Sequence, residues 1–198
     1  MTYDLAIGDR SYSSWSLRGW LLFDRFDIPV RVHTGILYSD DLQRLLSSFV
    51  PARQVPAIRT PEGEVIGETI AIAETLAERH PDAGHWPTDP AARTMARYLV
   101  AEMHAGFQHL RNDCPMNLLK SYQDSAPSPE VLGDLARLAL IWARARDRFG
   151  AGGPWLFGRY SAADAFFAPV AARIAGYNLP VPPDAAAYVA AHLSCPSF

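Results

Sequence analysis

The chain has 198 residues, 49% of them hydrophobic and 20% charged, which suits one large domain or two small ones and excludes a disordered chain. Its 18 Lys and Arg against 21 Asp and Glu leave a net charge of −3 with no long basic run, which excludes a dedicated nucleic-acid binder, because phosphate contacts need clustered cations. Cys114 and Cys195 form no Cys-x-x-Cys pair, so a disulfide scaffold, a cysteine zinc site and a dithiol redox centre are excluded too.

Tyr3 to Ile7 alternates loosely and meets the turn pair Gly8-Asp9, which predicts a strand. Trp15 to Phe26 carries apolar residues at Trp15, Leu17, Leu21, Leu22 and Phe26, the spacing of a helix. Ile28 to Val32 is β-branched and reads as a second strand, and Asp41 to Phe49 as a short amphipathic helix. Ala57-Ile58-Arg59 and Glu64-Val65-Ile66 flank Thr60-Pro61-Glu62-Gly63 and predict a hairpin. Thr69 to Glu78 is rich in good helix formers. The expected order over residues 1–80 is βαβαββα.

Residues 81–89 contain Pro81, Gly84 and Pro87 and read as a linker. Beyond them the text is Ala- and Arg-rich with helical periodicity and almost no strand signal. Pro90 suits a first helical turn, and the expected helix runs to Asn112 with a break near Pro115. A second helix is expected from Pro129 to Phe149, closed by Gly150, a third from near Ser161 and a last over Ala185 to Leu193. An α/β domain over 1–80 and an all-α domain over 90–198 follow. The first residues, Met1 to Leu5, lack a basic n-region, and no apolar stretch approaches the ~20 residues of a membrane span, so a cytoplasmic protein without a membrane partner is expected.

Four places carry candidate chemistry. Tyr12-Ser13-Ser14-Trp15-Ser16-Leu17-Arg18 sets serine hydroxyls at a helix N-terminus, where they act as an N-cap or face an anion favoured by the dipole. In Arg53-Gln54-Val55-Pro56, Pro56 opens a strand either as an edge-strand proline or through a cis bond that turns the Val55 backbone toward a ligand. Gly67-Glu68-Thr69 makes Thr69 an N-cap. With Glu68 on an ammonium group and Thr69 on a carboxylate, the same residues would clamp an α-amino acid end. Ser161-Ala162-Ala163-Asp164 has the pattern of a capping box and reads as structural.

In order and spacing these four resemble the cytosolic glutathione transferases over essentially the whole chain. The resemblance is to the serine-type, zeta-like bacterial branch, since Ser13 to Arg18 is similar to the zeta motif Ser-Ser-Cys-x-Trp-Arg. It implies a thioredoxin-like N-terminal domain, an all-α C-terminal domain, glutathione as cosubstrate and a homodimer. Carried over, Ser13 activates the glutathione sulfur, in preference to Tyr12 or Ser14. Ser14 and the Val55-Pro56 strand hold the peptide, Glu68 and Thr69 take its γ-glutamyl end, and Arg53 or Gln54 reaches its glycyl carboxylate. Small hydrophobic electrophiles are expected against Tyr12 and Trp15 and a helix face bearing Met103, His104, Phe107 and Arg111, a spacing that also suits plain core packing. His109 has no metal partner at i+3 or i+4, and no metal is expected. Trp15 stands where the zeta motif has cysteine, which removes mixed-disulfide chemistry and puts zeta-type maleylacetoacetate isomerisation in question. The chain also stops soon after its last helix, without the final stretch expected of the family; either a shortened C-terminus leaves the electrophile site more open, or the sequence is trimmed. Alternatives to transfer are glutathione-dependent isomerisation, peroxidase activity, or a non-catalytic binding module on the same fold.

Overall fold

The structure is a computed structural model that describes residues 2–197, so the two end residues, on which the leader and tail readings partly rest, lie outside it. The chain divides into two compact units between His85 and Trp86.

The first unit is a mixed sheet in the order β2-β1-β3-β4. Strand β1 (Tyr3–Ile7) pairs in parallel with β2 (Val30–Thr34), and antiparallel with β3 (Ala57–Arg59), which pairs antiparallel with β4 (Val65–Gly67). Leu5, Ala6 and Ile7 are wholly buried, the mark of a strand covered on both faces. Helices α1 (Ser14–Asp24) and α3 (Thr69–Arg79) pack together, with Leu5 reaching α1 at Gly19. Successive strand residues point to opposite faces, so Ala6 turns the other way. It joins Phe49 and Ala57 in a small core closed by Leu45 of α2 (Asp40–Ser47).

Two expected boundaries move for local reasons. Strand β2 begins at Val30 and not Ile28, because the Ile28 N–H bonds back to the Phe23 carbonyl at 3.1 Å while Asp27 takes a positive φ of 53°. Helix α2 stops before Phe49, whose N–H closes a tight turn on the Leu46 carbonyl at 2.8 Å.

The second unit is helical: α4 (Pro90–Ala105), α5 (Gln108–Asp113), α6 (Pro129–Phe149), α7 (Ala162–Gly176) and α8 (Pro183–Leu193). Pro90 occupies the first helical turn, behind an Asp89 cap that accepts the Ala92 N–H at 2.7 Å. The expected single helix from Pro90 to Asn112 is corrected, for the chain breaks at Gly106 and restarts after Phe107 in the left-handed region, φ 59°. Helix α7 is buried at every position from Ala162 to Ile174, as its all-round apolar sequence requires.

The Asp164 carboxylate anchors α7. Its Oδ2 accepts the Ser161 N–H at 2.8 Å and the Ser161 hydroxyl at 2.9 Å. Its Oδ1 accepts the Leu156 N–H at 3.2 Å and the Tyr188 hydroxyl at 2.8 Å. Among the described residues no helix is long and apolar enough to cross a membrane, and no group of three or more His, Cys, Asp or Glu is placed to hold a metal ion.

Candidate functional site

Helix α1 starts at Ser14 because Ser13, in extended backbone, caps it. The Ser13 Oγ accepts the Ser16 N–H at 3.2 Å. That bond uses a lone pair and leaves the hydroxyl proton to be donated elsewhere. The helix is fastened to the end of β1 by the Gly8 N–H, which donates to the buried Ser16 Oγ at 2.9 Å. Ser13 therefore sits half-buried at the positive end of a helix anchored to the sheet, where an anion is favoured. Serving as a cap and donating to a ligand are compatible uses of this one hydroxyl.

A cleft of about 630 Å³ opens beside it, lined by first-unit residues that include Tyr12, Ser13, Ser14, Trp15, Arg53, Gln54 and Val55. The Val55-Pro56 bond is cis, and so is Val50-Pro51, which sequence reading passed over. Helix α1 lies so close to the segment leading into β3 that a Cβ on Gly19 would stand 2.6 Å from the Pro56 Cβ. The missing side chain is what lets the Ser13 helix and the Val55-Pro56 segment ahead of β3 share one cleft. Gly19→Ala is accordingly expected to destabilise the protein by about 1–3 kcal/mol through overpacking. A chemical denaturation midpoint unchanged from wild type would contradict this.

A second cavity, of about 450 Å³, adjoins the first through Arg53 and Gln54 and reaches Gly67 and Glu68. Gln54 Nε2 donates to Glu68 Oε1 at 3.0 Å, which ties two of the expected ligand residues together. Thr69 is not the cap of α3. Glu68 occupies that position with φ 62° and ψ 120°, a costly conformation for a residue with a Cβ, and no side chain caps the helix. Thr69 is its first residue, and the Thr69 Oγ1, in a side chain only 1% exposed, has no hydrogen-bond partner among the described residues. A buried hydroxyl without a partner costs about 1–3 kcal/mol. This one stands at the start of a helix that no described side chain caps, next to Glu68, which lines the second cavity.

The remaining expected residues lie in the second unit. Met103 is wholly buried and Phe107 is 7% exposed, and both pack in the helical core. The break at Phe107 means that Met103, Phe107 and Arg111 do not share one helix face. Instead Arg111 Nη2 turns back to donate to the Met103 carbonyl and, at 3.3 Å, to the carbonyl of half-buried His104.

Sequence reading missed the wall of the cleft formed by Leu37, Tyr38, Ser39, Leu42, Gln43 and Leu46. The available signal was an amphipathic α2 whose leucines stay only half-buried, so part of their apolar surface faces the cleft. Neither cysteine lines the cleft. Cys114 is buried in the second unit, and burial pushes its thiol up.

Residues 12–79 match the family model for the glutathione S-transferase N-terminal domain. The chain is 36% identical over 110 residues to a probable maleylacetoacetate isomerase of Caenorhabditis elegans, covering 56% of this chain and 50% of that protein. It is 31% identical over 117 residues to the maleylacetoacetate isomerase of Pseudomonas aeruginosa, covering 57% and 54%. It thus spans about half the length of the curated relatives it matches. A solved glutathione transferase homolog from Burkholderia, with bound glutathione, superposes with a TM-score of 0.74 at 22% identity, over 100% of this chain and 94% of that one. The omega 1C glutathione transferase of Trametes versicolor gives 0.74 at 16%, over 100% and 89%. At such identities the structural likeness speaks for the fold, a thioredoxin-like unit followed by a helical one, and the family model and curated relatives carry the rest. Residues 12–79 thus resemble the N-terminal domain of glutathione S-transferases, and about half of the chain is similar in sequence to maleylacetoacetate isomerases.

Proposed function

We propose that the cleft binds glutathione and that the Ser13 hydroxyl stabilises its thiolate for attack on small hydrophobic electrophiles. The observation that carries the binding half is the unpartnered, buried Thr69 hydroxyl at the uncapped start of α3, with Glu68 held beside it by Gln54. A γ-glutamyl end offers a carboxylate to the Thr69 hydroxyl and the helix amides and an ammonium to Glu68. Val55 lines the same cleft as Ser13 and Ser14, where the cysteinyl part would pass. Arg53, which lines both cavities, or Gln54 is left for the glycyl carboxylate.

The energetics agree with the residues present. A free thiol has a pKa of ~8.5, so little thiolate exists at neutral pH. Lowering it by about two units requires about 2.7 kcal/mol of preference for the anion. A hydroxyl donating to a charged acceptor supplies about 1.5–3 kcal/mol and a helix dipole about 0.3–1 kcal/mol, which together reach that size. The thiol proton passes to solvent while Ser13 keeps its own. The sulfur lone pair then forms the C–S bond, and the leaving group departs with its electron pair. Ser13 acts as an activator and not as a covalent nucleophile. Tyr12 and Trp15 offer the electrophile its aromatic contacts.

Thr69→Val tests the clamp with two readouts of opposite sign. Removing an unpartnered hydroxyl at nearly constant volume is expected to leave the fold as stable or to stabilise it by up to about 1 kcal/mol. Glutathione affinity, measured by calorimetric titration, should fall by about tenfold with the loss of one hydrogen bond to a charged group. A variant that loses stability and binds glutathione as tightly as wild type would sink the clamp. No glutathione binding by the wild type would favour a non-catalytic module instead.

A second reading is favoured by the curated relatives, which are named maleylacetoacetate isomerases. The same thiolate, adding reversibly to a conjugated double bond, allows rotation about the resulting single bond before elimination returns glutathione. Assays separate the two readings, since isomerisation consumes no glutathione and conjugation consumes one equivalent. The protein is further proposed to act as a homodimer, which sedimentation equilibrium would test.

A further inference from the structure

We infer that Ser16 is a positioning residue for thiolate formation, because its backbone holds the Ser13 hydroxyl while its side chain locks the helix to the sheet. This rests on the glutathione reading of the cleft. Ser16 is wholly buried and is not among the residues that line the cleft, so it acts only through what it holds. Its N–H donates to the Ser13 Oγ at 3.2 Å, and its own Oγ accepts the buried Gly8 N–H at 2.9 Å. Gly8 directly follows β1, so one residue joins the proposed thiolate donor to the end of the central strand.

The joint is tight on its other side too. A Cβ on Gly8 would stand 2.3 Å from the Leu37 Cδ2, and Leu37 itself lines the cleft. The Ser16–Gly8 bond therefore ties the first turn of α1 to a second lining residue. The Ser13 backbone is held from the preceding turn, where its N–H donates to the Asp9 carbonyl at 2.8 Å. That leaves rotation of the side chain, and the Ser16 N–H restrains it by occupying one Oγ lone pair. A hydrogen bond weakens steeply as its angle closes, so a small movement of the first turn costs thiolate stabilisation before it costs binding. The proposed clamp at Glu68 and Thr69 stands at the start of α3, away from this joint.

The test follows thiolate absorbance against pH at saturating glutathione, with binding of S-methylglutathione, which has no thiol to ionise, as reference. In Ser16→Ala the Gly8 N–H loses its acceptor, and the ionisation constant of the bound thiol is expected to fall about five- to tenfold. S-methylglutathione should bind within about twofold of wild type. Ser16→Cys keeps a weaker acceptor and should give an intermediate fall of about two- to threefold. Because Ser16 acts through Ser13, Ser16→Ala should lower the constant no further in a Ser13→Gly background. A merely structural serine would lower the unfolding midpoint and leave the constant where it was. An unchanged constant in Ser16→Ala, a fall that persists in the Ser13→Gly background, or an equal loss of S-methylglutathione affinity overturns the proposal and leaves the glutathione reading standing. Failure of the wild type to bind glutathione, or to ionise it, overturns both. Should Ser16→Ala not fold, a fall in Ser16→Cys supports the role, and an unchanged constant there overturns it.

Discussion

Ser13→Ala is expected to lower the ionisation constant of the bound glutathione thiol about ten- to a hundredfold, and its thiolate population at neutral pH about four- to fortyfold, the effect of losing one hydrogen bond worth about 1.5–3 kcal/mol to the anion. Ultraviolet thiolate absorbance during a glutathione titration reads it directly. The substitution also removes the cap of α1, at a cost of about 1 kcal/mol in stability. Ser13→Gly separates the two effects, because glycine caps a helix within a few tenths of a kcal/mol of serine and has no hydroxyl. Both variants should lose the thiolate signal, and only the alanine one should lose appreciable stability. Ser14→Ala, at the first helical position and outside the cap, should change the signal far less. A thiolate signal that persists in Ser13→Gly and vanishes in Tyr12→Phe would move the activating role to Tyr12.

The candidate site was legible where the proposed role and the local structure use the same residue in the same conformation. Ser13 is a helix cap whichever ligand it meets, so its position followed from the pattern of serines before an apolar periodicity. Thr69 was misread for the converse reason. A threonine ahead of a helix reads as a cap, but here Glu68 takes the cap position in a conformation that no residue type announces. The helix break was hidden by arithmetic, since Met103, Phe107 and Arg111 stand four apart and keep helical spacing across the interruption. Gly106 was the available sign, because glycine after a periodic run is a common stop. The α2 wall escaped because periodicity tells which side of a helix is apolar and is silent on whether that side meets a core or a cleft. The capping box was plain at Ser161 and Asp164, being local. Its other two donors were not, since Leu156 and Tyr188 reach Asp164 from 8 and 24 residues away.

Those distant donors set the largest stability effect expected in the chain. In Asp164→Ala four buried donors, the Ser161 N–H and hydroxyl, the Leu156 N–H and the Tyr188 hydroxyl, lose their acceptor together. The expected loss is about 3–5 kcal/mol, a melting midpoint lower by roughly 10 °C or more. Asp164→Asn should cost about 1–3 kcal/mol, because one oxygen remains and the Tyr188 hydroxyl can turn to accept from the amide, leaving a single backbone donor opposed. Burial pushes the Asp164 carboxyl up to about 6 from an ordinary 3.8, with the four hydrogen bonds pulling the other way. A carboxyl that binds its proton more tightly folded than unfolded adds stability that is full below about 3.8 and lost as pH rises through about 6. The stability advantage of wild type over Asp164→Asn should therefore shrink by about 3 kcal/mol between those two values and stay level above them. A constant advantage across that window would mean that the four donors outweigh burial and hold the carboxyl ionised throughout. An Asp164→Ala midpoint within a degree or two of wild type would mean that α7 is held by its apolar packing alone.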